Sequence, residues 1–527
     1  MGKLDRFTRV SEAPTNPSRD RGEQEFDVAD LYQGPVDTGE PGQARAVALD
    51  EKFRQAYFWI TNHAIISPYY DIEYNDTPPQ LYRYGDSKLE VRLPSDQSYS
   101  SYVLLPLLNL AARRRCLLVG GPGRGKTAIA ILMGVLSGYA LRDIKRGIQH
   151  GQPQMTIADL LGNPLPSSMV NAQSNEDIKI AWRSWLGMRV KIIDEYNRIP
   201  TRTQSALLTV MGDNYAEIYD QIYECPDAAW YLTANDDAGG GTYQVIEALR
   251  DRIDVVVMAL HFNTRFLREL LVRIEAGIRP EEVVPGQVIF TEDELTRAER
   301  AIRAVRVPLE LLRRLEFFAS HFEFFEPGAR QVEYMTKDTT KLAGMDLTAF
   351  AEEISGKDQL ADIGSQTRNG LSVRALMTSL VFVKAMAFFR GASEVSYEDM
   401  RQILPFVLHD KLVQNPDSPF FEQGQNGALR SDHVSWIRTL FDLSSREYER
   451  LNLDKEDTVG ALASVFERGL EGVSEREVRK QLTAIEHTLR GWMKTRKFYG
   501  HMFDDVLKLK YLHQRYTNYL RWLKWNG

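Results

Sequence analysis

The chain has few of the residues on which several protein classes depend. Its 527 residues include two cysteines, Cys116 and Cys225, which give no disulfide framework. There are nine histidines and no His-Glu-x-x-His spacing, so the sequence offers no protease or nuclease constellation. A net charge of −7 lacks the strong basic excess of duplex-binding proteins. We therefore expect a cytoplasmic protein for which nucleic acid is an unlikely main partner.

Long apolar runs are also missing. The N-terminal residues 1–42 are polar and rich in Pro, Gly, Asp and Arg, without the apolar centre of a signal peptide. The most apolar later run, residues 380–389, is too short to span a bilayer and contains Lys384. We expect no membrane span and a buried helix at 380–389. The first 42 residues are expected to lack a fold of their own unless a partner orders them.

A glycine-rich loop follows an apolar run at residues 116–119 and precedes a stretch of helix formers. This placement, between a strand and a helix, is typical of a phosphate-binding loop. Backbone N–H groups would close around the β- and γ-phosphates of a nucleotide, Lys126 would add positive charge, and the Thr127 hydroxyl would face Mg²⁺. The predicted nucleotide-binding residues of the loop are Gly121, Pro122, Gly123, Arg124, Gly125, Lys126 and Thr127.

A second apolar strand, residues 190–193, ends in the two carboxylates Asp194 and Glu195. Alone, this pattern could be a buried strand that stops at an acidic turn. After a phosphate-binding loop it predicts a Walker B strand. Asp194 would bind both nucleotide and Mg²⁺, the metal through its water shell, and Glu195 would polarise the attacking water.

Two further segments offer candidate catalytic groups. A strand at residues 229–234 is followed by Asn235, which has a polar amide side chain. Catalytic groups in such folds often lie at this end of a strand, so Asn235 is the predicted water-orienting residue. Arg250 and Arg252 precede another strand at residues 255–258. An arginine at a protomer's edge can reach a neighbour's γ-phosphate, and the alternative for Arg250 is a solvated charge in the same loop.

At these residues the chain resembles the AAA+ ATPases and, within them, the MoxR family. The match is clearest at residues 194–208, which are similar to that family's stretch from Walker B into the next helix. Residues 155–162 are similar to the segment that enters the family's insertion in its second helix. Residues 305–308 and 370–375 resemble the family's lid and its sensor-2 motif. The resemblance covers about residues 95–415.

The resemblance implies further roles. Alignment on Asp251-Arg252 makes Arg252 the arginine finger, acting in trans, with Arg250 as its competitor. Arg374 is implied to be the sensor-2 arginine, contacting the γ-phosphate from the lid of the same subunit. Two positions depart from the family pattern, since Val373 stands for a proline and Arg250 for an apolar residue. The family also implies ATP and Mg²⁺ as cofactors, a homo-oligomeric ring of six, and a protein client, often one with a von Willebrand factor A domain.

The expected fold is α/β, with an AAA+ P-loop core in which helices flank a parallel sheet. An all-α lid, a helical C-terminal region and a partly disordered N-terminal extension complete it. The expected domains are a polar extension (1–42), a helix and hairpin region (43–94), the nucleotide-binding core (95–262), the helical lid (263–412, with an insertion near 329–369) and the helical C-terminal region (413–527).

Two aromatic segments leave alternatives open. The tyrosines at positions 69, 70, 74, 82 and 84 could form a stacking surface for bases or peptide, although a packed cluster is favoured. Residues 506–525 mix lysines and arginines with tyrosines and tryptophans. They could form a docking face for nucleic acid or a partner, or an amphipathic helix that buries its aromatics under solvated lysines, which is favoured.

The function predicted by the sequence is ATP hydrolysis in a ring that remodels a protein client. One alternative is an AAA+ motor that acts on nucleic acid. An acidic chain without a zinc site, helix-turn-helix or recognisable RNA module favours the protein client. The other alternative is a nucleotide-switched scaffold with little turnover, against which the complete set of catalytic residues argues.

Overall fold

The computed structural model of the protein describes most of the chain after residue 47. The expected extension, residues 1–42, lies outside the described residues, as does most of the insertion expected near 329–369. Within the described part, no helix is long and apolar enough to cross a membrane. The described residues are 48–64, 69–86, 90–170, 172–174, 177–235, 245–259, 262–277, 279–323, 363–453, 457–495 and 501–526.

The described chain opens with a helix and two small antiparallel sheets. Helix α1 (Leu49–Trp59) continues as a π-helical turn (Ile60–Ala64) and buries Phe53 and Tyr57. Four short strands follow: β1 (Ile72–Glu73), β2 (Gln80–Arg83), β3 (Glu90–Leu93) and β4 (Ser98–Tyr99). Strand β1 pairs with β4, and β2 pairs with β3 as a hairpin.

The five tyrosines near this hairpin do not form one packed cluster. Tyr74 is buried, and its hydroxyl donates a 2.6 Å hydrogen bond to Asp399. The tyrosines at 69, 70, 82 and 84 are exposed, so the favoured packed cluster is wrong for these four. The reason for the last two is that every described residue of the β2–β3 hairpin is exposed, with no described element covering it.

The centre of the fold is a five-stranded parallel sheet. Helix α2 (Ser101–Ala112), buried along its whole length, leads into it. In spatial order the strands are β13 (Val255–Met258), β5 (Arg115–Val119), β12 (Ala229–Ala234), β9 (Val190–Asp194) and β6 (Gln149–His150). These strands are mostly apolar because helices cover both faces of a parallel sheet. The expected parallel sheet flanked by helices is confirmed.

The connections between strands carry helices and two hairpins. The helices are α3 (Lys126–Leu136), α4 (Leu141–Gly147), α5 (Ile157–Leu161), α6 (Pro166–Met169), α7 (Thr201–Gly212) and α8 (Glu247–Arg252). One hairpin pairs β7 (Gly162–Pro164) with β8 (Ile180–Trp182), where the resemblance implies an insertion. The other pairs β10 (Tyr215–Ile218) with β11 (Gln221–Glu224).

After the sheet, the described residues up to Leu408 form mainly helices. They are α9 (Leu267–Glu275), α10 (Glu292–Ala304), α11 (Leu309–Glu323), α12 (Val373–Phe389) and α13 (Tyr397–Leu408). Helix α10 begins with the capping box that Thr291 and Glu294 predict. The apolar run at 380–389 is a buried helix, as expected, because it forms the second half of α12. The all-α lid is confirmed.

The C-terminal region is helical, as expected. Helix α14 (His433–Arg450) packs against α11 and α13. The last three helices, α15 (Thr458–Glu467), α16 (Glu475–Thr495) and α17 (His501–Asn526), share a separate small apolar cluster. Within α17, Leu509, Leu512 and Tyr516 are buried in that cluster, whereas Trp522 and Trp525 are 52% and 83% exposed. The favoured burial of the aromatics therefore holds for Tyr516 and not for these two tryptophans.

Candidate nucleotide-binding site

The glycine-rich loop joins the end of β5 to the start of α3, as the sequence predicts. Gly123 and Gly125 have φ of 73° and 74°, a left-handed conformation that glycine adopts without steric cost. Arg124 folds over the loop, where its Nη1 donates to the carbonyl oxygen of Ala259 at 3.3 Å. The loop therefore forms a tight turn at a helix N-terminus, where backbone N–H groups and the helix dipole favour phosphate.

Lys126 is buried inside this loop, with only 7% of its surface exposed. Its Nζ donates to the carbonyl oxygens of Gly120 at 2.6 Å and Gly121 at 2.8 Å. The same Nζ donates to Oδ1 of Asn235 at 2.9 Å. The ammonium group is thus fixed at the loop, within reach of the end of β12.

The two predicted Mg²⁺ residues are in direct contact. Thr127 Oγ1 donates to Asp194 Oδ1 at 2.7 Å, and Thr233 Oγ1 donates to the same oxygen at 2.7 Å. On the other side, His150 Nδ1 lies 3.3 Å from Asp194 Oδ2. A hydroxyl beside a carboxylate gives the hard oxygen donors that Mg²⁺ prefers, so these residues fit the ion.

The side chain of Glu195 is held from two sides. Asn235 Nδ2 donates to its Oε1 at 2.9 Å, and Arg198 Nε lies 3.2 Å from its Oε2. Its backbone N–H donates to Thr233 Oγ1 at 2.9 Å, and its φ is 53°, which is uncommon for a residue with a side chain. A left-handed residue at the end of β9 turns the chain sharply and places the carboxylate beside Asn235.

Sheet register explains why these groups meet. In the parallel pairing, Ala234 lies opposite Val119 and Leu232 lies opposite Ile193. The three strands therefore end at the same edge, where ligands bind in such sheets. The structure brings together five predicted residues: Lys126, Thr127, Asp194, Glu195 and Asn235.

Sequence reasoning missed four residues at this edge. Thr233, a polar residue in an otherwise apolar strand, was the most detectable of them. Arg198 follows Glu195 by three residues and His150 ends β6, but neither has a motif of its own. Gly151 donates its N–H to the Asp194 carbonyl oxygen at 2.7 Å, and a Cβ added there would collide with the Glu195 carbonyl oxygen.

Arg374 is not brought to the phosphate loop of its own chain. Its Nη1 donates to Asp251 Oδ2 at 3.0 Å, and Ser372 Oγ donates to Asp251 Oδ1 at 3.2 Å. Asp251 lies before β13, whereas the phosphate loop follows β5. These strands run parallel, and a strand of this length spans about 13 Å. Arg374 and the loop therefore lie at opposite ends of the sheet.

The two arginine-finger candidates also lie at the far end. Arg252 packs against the end of α7, where a Cβ added at Gly212 would lie 2.6 Å from its Nε. Its Nη1 donates to the carbonyl oxygen of Ala248 at 3.1 Å. Arg250 is exposed; its backbone N–H donates to the carbonyl oxygen of Ile246 at 3.1 Å, and its charge acts on the carboxyl group of Asp410, helping to lower the pKa of that group. The structure thus separates a packed arginine from an exposed one.

The segment that carries these arginines is clamped between core and lid. Asp254, 1% exposed, accepts a 2.6 Å hydrogen bond from Thr378 Oγ1 of α12 and a 3.0 Å bond from the backbone N–H of Arg115. Lys411 Nζ donates to the carbonyl oxygen of Asp251 at 2.9 Å. A movement of the lid would therefore be transmitted to Asp251 and its neighbours.

Comparison with known proteins agrees with this architecture. Residues 115–255 match the ATPase family associated with various cellular activities (AAA), and residues 361–430 match the AAA lid domain. Chaperone MoxR1 of Mycobacterium tuberculosis (strain ATCC 25618 / H37Rv) is 26% identical over 317 residues, which are 59% of this chain and 71% of that protein.

Two solved structures were also compared with the chain. A crystal structure of a Cytophaga hutchinsonii ATCC 33406 protein named as an ATPase has 19% identity and a TM-score of 0.44, over 64% of this chain and 89% of that one. A full-length MCM homologue from Methanopyrus kandleri has 15% identity and a TM-score of 0.33, over 59% of this chain and 56% of that one. Together, the two matched domains and the similarity to MoxR1 support an AAA+ ATPase of the MoxR type.

Proposed function

We propose that the protein hydrolyses ATP and uses the cycle to remodel a protein client. The observation that carries this proposal is the hydrogen-bonded chain from Lys126 through Asn235 to Glu195, at the strand edge that also holds Thr127 and Asp194. A loop that binds phosphate, a candidate base and a candidate metal site are thus within one contact network. Such an arrangement supports phosphoryl transfer to water.

Each residue has a distinct proposed role. Lys126 exchanges its carbonyl partners for phosphate oxygens when ATP binds, which frees the Asn235 amide oxygen to orient water. Glu195, already held by Asn235, accepts the proton of that water. Thr127 and Asp194 hold Mg²⁺, which neutralises phosphate charge when bound.

Subunits meeting edge to edge would complete the site. Arg374 and Arg252 lie at the end of β13 that faces away from their own phosphate loop, so we assign both to the nucleotide of a neighbouring subunit. For Arg374 this replaces the expected contact within one subunit. Arg250 remains the alternative finger, and its exposure favours it. A ring of six is proposed from the family resemblance.

The proposed client surface is formed by the two hairpins of the core. Strands β8 and β11 pack together through the rings of Trp182 and Tyr223, 5.5 Å apart. Their outer parts expose Met169, Val170 and Ile222, which are 48%, 84% and 63% exposed. Exposed apolar side chains on adjoining hairpins suit a protein partner. By resemblance, that client contains a von Willebrand factor A domain, and the proposed location is the cytoplasm.

A second candidate function rests on helix α17. Trp522 stacks on Tyr519 with ring centres 5.6 Å apart, and Trp525 is exposed beside Arg521 and Lys524. Exposed rings among positive charges can stack on the bases of single-stranded nucleic acid. The alternative function is therefore an AAA+ motor that acts on such a strand. If the protein does not hydrolyse ATP, the remaining proposal is a nucleotide-switched scaffold with little turnover.

The test compares two variants of the site. Glu195→Gln should keep ATP affinity within about threefold and lose turnover by about 10²–10⁴, the usual contribution of a general base. Lys126→Ala should weaken both, since it removes the charge at the loop. Binding is measured by calorimetry and turnover by phosphate release. Equal loss of ATP binding in the two variants would contradict the assigned roles, and unchanged turnover in Glu195→Gln would exclude it as the base.

A further inference from the structure

Two exposed apolar patches lie at opposite ends of β13, the edge strand of the sheet. The first, called the lid patch, consists of Val373 and Met377 on the first turns of α12, 74% and 60% exposed. The second, called the α9 patch, consists of Leu267, Leu271 and Ile274, which are 59%, 52% and 65% exposed. Their spacing along α9 puts the three on one face, the pattern of a helix that buries this face against a partner.

The lid patch surrounds the arginine proposed to act in trans. Val373 and Met377 flank Arg374 on the exposed side of α12, and Arg374 is bound to Asp251 in the last turn of α8, before β13. Ser372 caps the helix by accepting a hydrogen bond from the backbone N–H of Ala375. Val373 therefore takes the first helical position, where the family's proline would also fit. The patch is thus fixed on a capped helix rather than on a loop.

The α9 patch lies on the segment that continues from the phosphate-loop end of β13. Ala259, just after β13, contacts the loop, because a Cβ added at Gly120 would lie 2.9 Å from its Cβ. Helix α9 begins eight residues later, and the turn after it, Pro280–Glu282, packs against α3, which starts at Lys126. Arg273 anchors the opposite side of α9, since it is buried and donates to the carbonyl oxygen of His63 at 2.7 Å.

These placements define a head-to-tail fit. If Arg374 of one copy reaches the phosphate loop of the next, the lid patch around Arg374 comes to that end of the sheet, from which the chain continues into α9. We propose that the lid patch of one copy packs against the α9 patch of the next copy in the ring. This inference rests on the proposed function of Arg374 in trans. Such an interface joins two different surfaces, so it can repeat until a ring closes.

The experiment uses the full chain with Glu195→Gln as parent, ATP and Mg²⁺, and mass photometry over a concentration series. Met377→Glu and Leu271→Glu should each raise the concentration needed for assembly at least about tenfold, equivalent to about 1.4 kcal/mol. Val373→Glu is a second test of the lid patch. Met493→Glu, at an apolar residue of α16 that is 84% exposed, is the matched control and should assemble like the parent.

Mixing the two variants tests whether the patches meet each other. Met377→Glu keeps a normal α9 patch and Leu271→Glu keeps a normal lid patch, so an equal mixture should form heterodimers with one intact contact and nothing larger. Thermal melting within about 2 °C of the parent checks folding, because all substituted residues are exposed.

Three results would count against the proposal. Assembly of both variants at the parent's concentrations would overturn the docking surface while leaving the ring intact. Two impaired variants whose mixture forms no heterodimer would show that each patch has another partner, a client included. A parent that stays monomeric with ATP would instead refute the ring itself.

Discussion

The placement of Arg374 predicts that its loss can be compensated by a different subunit. An arginine that contacts the transferred phosphoryl group contributes about 10³–10⁵ to kcat. Arg374→Ala should therefore lower kcat by about 10³ or more. Its ion pair with Asp251 is half exposed, at 44% and 41%, so removing it should cost less than about 1 kcal/mol of folding stability. A large loss of turnover with a small loss of stability separates a catalytic role from a structural one.

The assay mixes Arg374→Ala subunits with Glu195→Gln subunits. Each variant alone lacks one part of every site. In an equal, random mixture, an intact Glu195 faces an intact Arg374 of its neighbour at about a quarter of the interfaces, so about a quarter of the parental turnover should return. If Arg374 acted within its own subunit, no site in the mixture would hold both residues and nothing would return.

The control variant is an arginine from another exposed ion pair. Arg297→Ala removes a similar arginine from an exposed ion pair with Asp293 on α10; it should keep parental turnover alone and about half of it in the equal mixture, since half of the sites then lack Glu195. The same mixing with Arg252→Ala and Arg250→Ala identifies the finger. The finger variant should lose turnover alone and regain about a quarter in the mixture, whereas the other variant should keep its turnover alone. Recovery with one of these two but not with Arg374→Ala, in mixed rings confirmed by mass, would refute the trans assignment of Arg374.

Three other outcomes are expected. Lys191→Met should raise the free energy of unfolding at pH 7 by about 3 kcal/mol, because burial lowers the pKa of this β9 lysine from 10.5 to about 8. In urea titrations the gain should be full below pH 8 and disappear towards pH 10.5, and a pH-independent gain would contradict this cause. Thr378→Val should lose about 1.5–3 kcal/mol, since buried Asp254 loses a donor, while Thr378→Ser should lose much less. Single-stranded DNA should neither bind tightly at physiological salt nor stimulate hydrolysis; salt-sensitive binding abolished by Trp525→Ala would favour the nucleic-acid motor.

Local patterns were sufficient to predict one half of the candidate site. The phosphate loop, the Walker B carboxylates and Asn235 each follow a strand, and a parallel sheet brings the ends of its strands to one edge. Their positions at the ends of strands were therefore enough to predict that these residues lie close together. Their partners were harder to predict. Thr233 and Arg198 contact Glu195 because the backbone of Glu195 is left-handed, and the residue type does not indicate this conformation.

The other half depends on long-range docking that the sequence does not encode locally. Arg374 reaches Asp251 across 123 positions, and Thr378 reaches Asp254 across 124. A sensor-2 motif identifies the arginine but leaves open which end of the sheet the lid covers. Similarly, the aromatic and basic composition of α17 did not show that Trp522 and Trp525 fall outside the face that buries Leu509 and Leu512.

The position of Asp251 links the two arginines that we propose to contact nucleotide, Arg374 and Arg252. It binds Arg374 of the lid, and it directly precedes Arg252. An incoming γ-phosphate on the neighbouring subunit would compete with the Asp251 carboxylate for Arg374, so binding there would release a contact between this subunit's lid and core. Because Lys411 and Thr378 clamp the same segment, the released movement would pass into the helical lid rather than be lost in a loop. Hydrolysis at one interface would thereby change the lid of the adjacent subunit, which is the displacement that a remodelling ring requires.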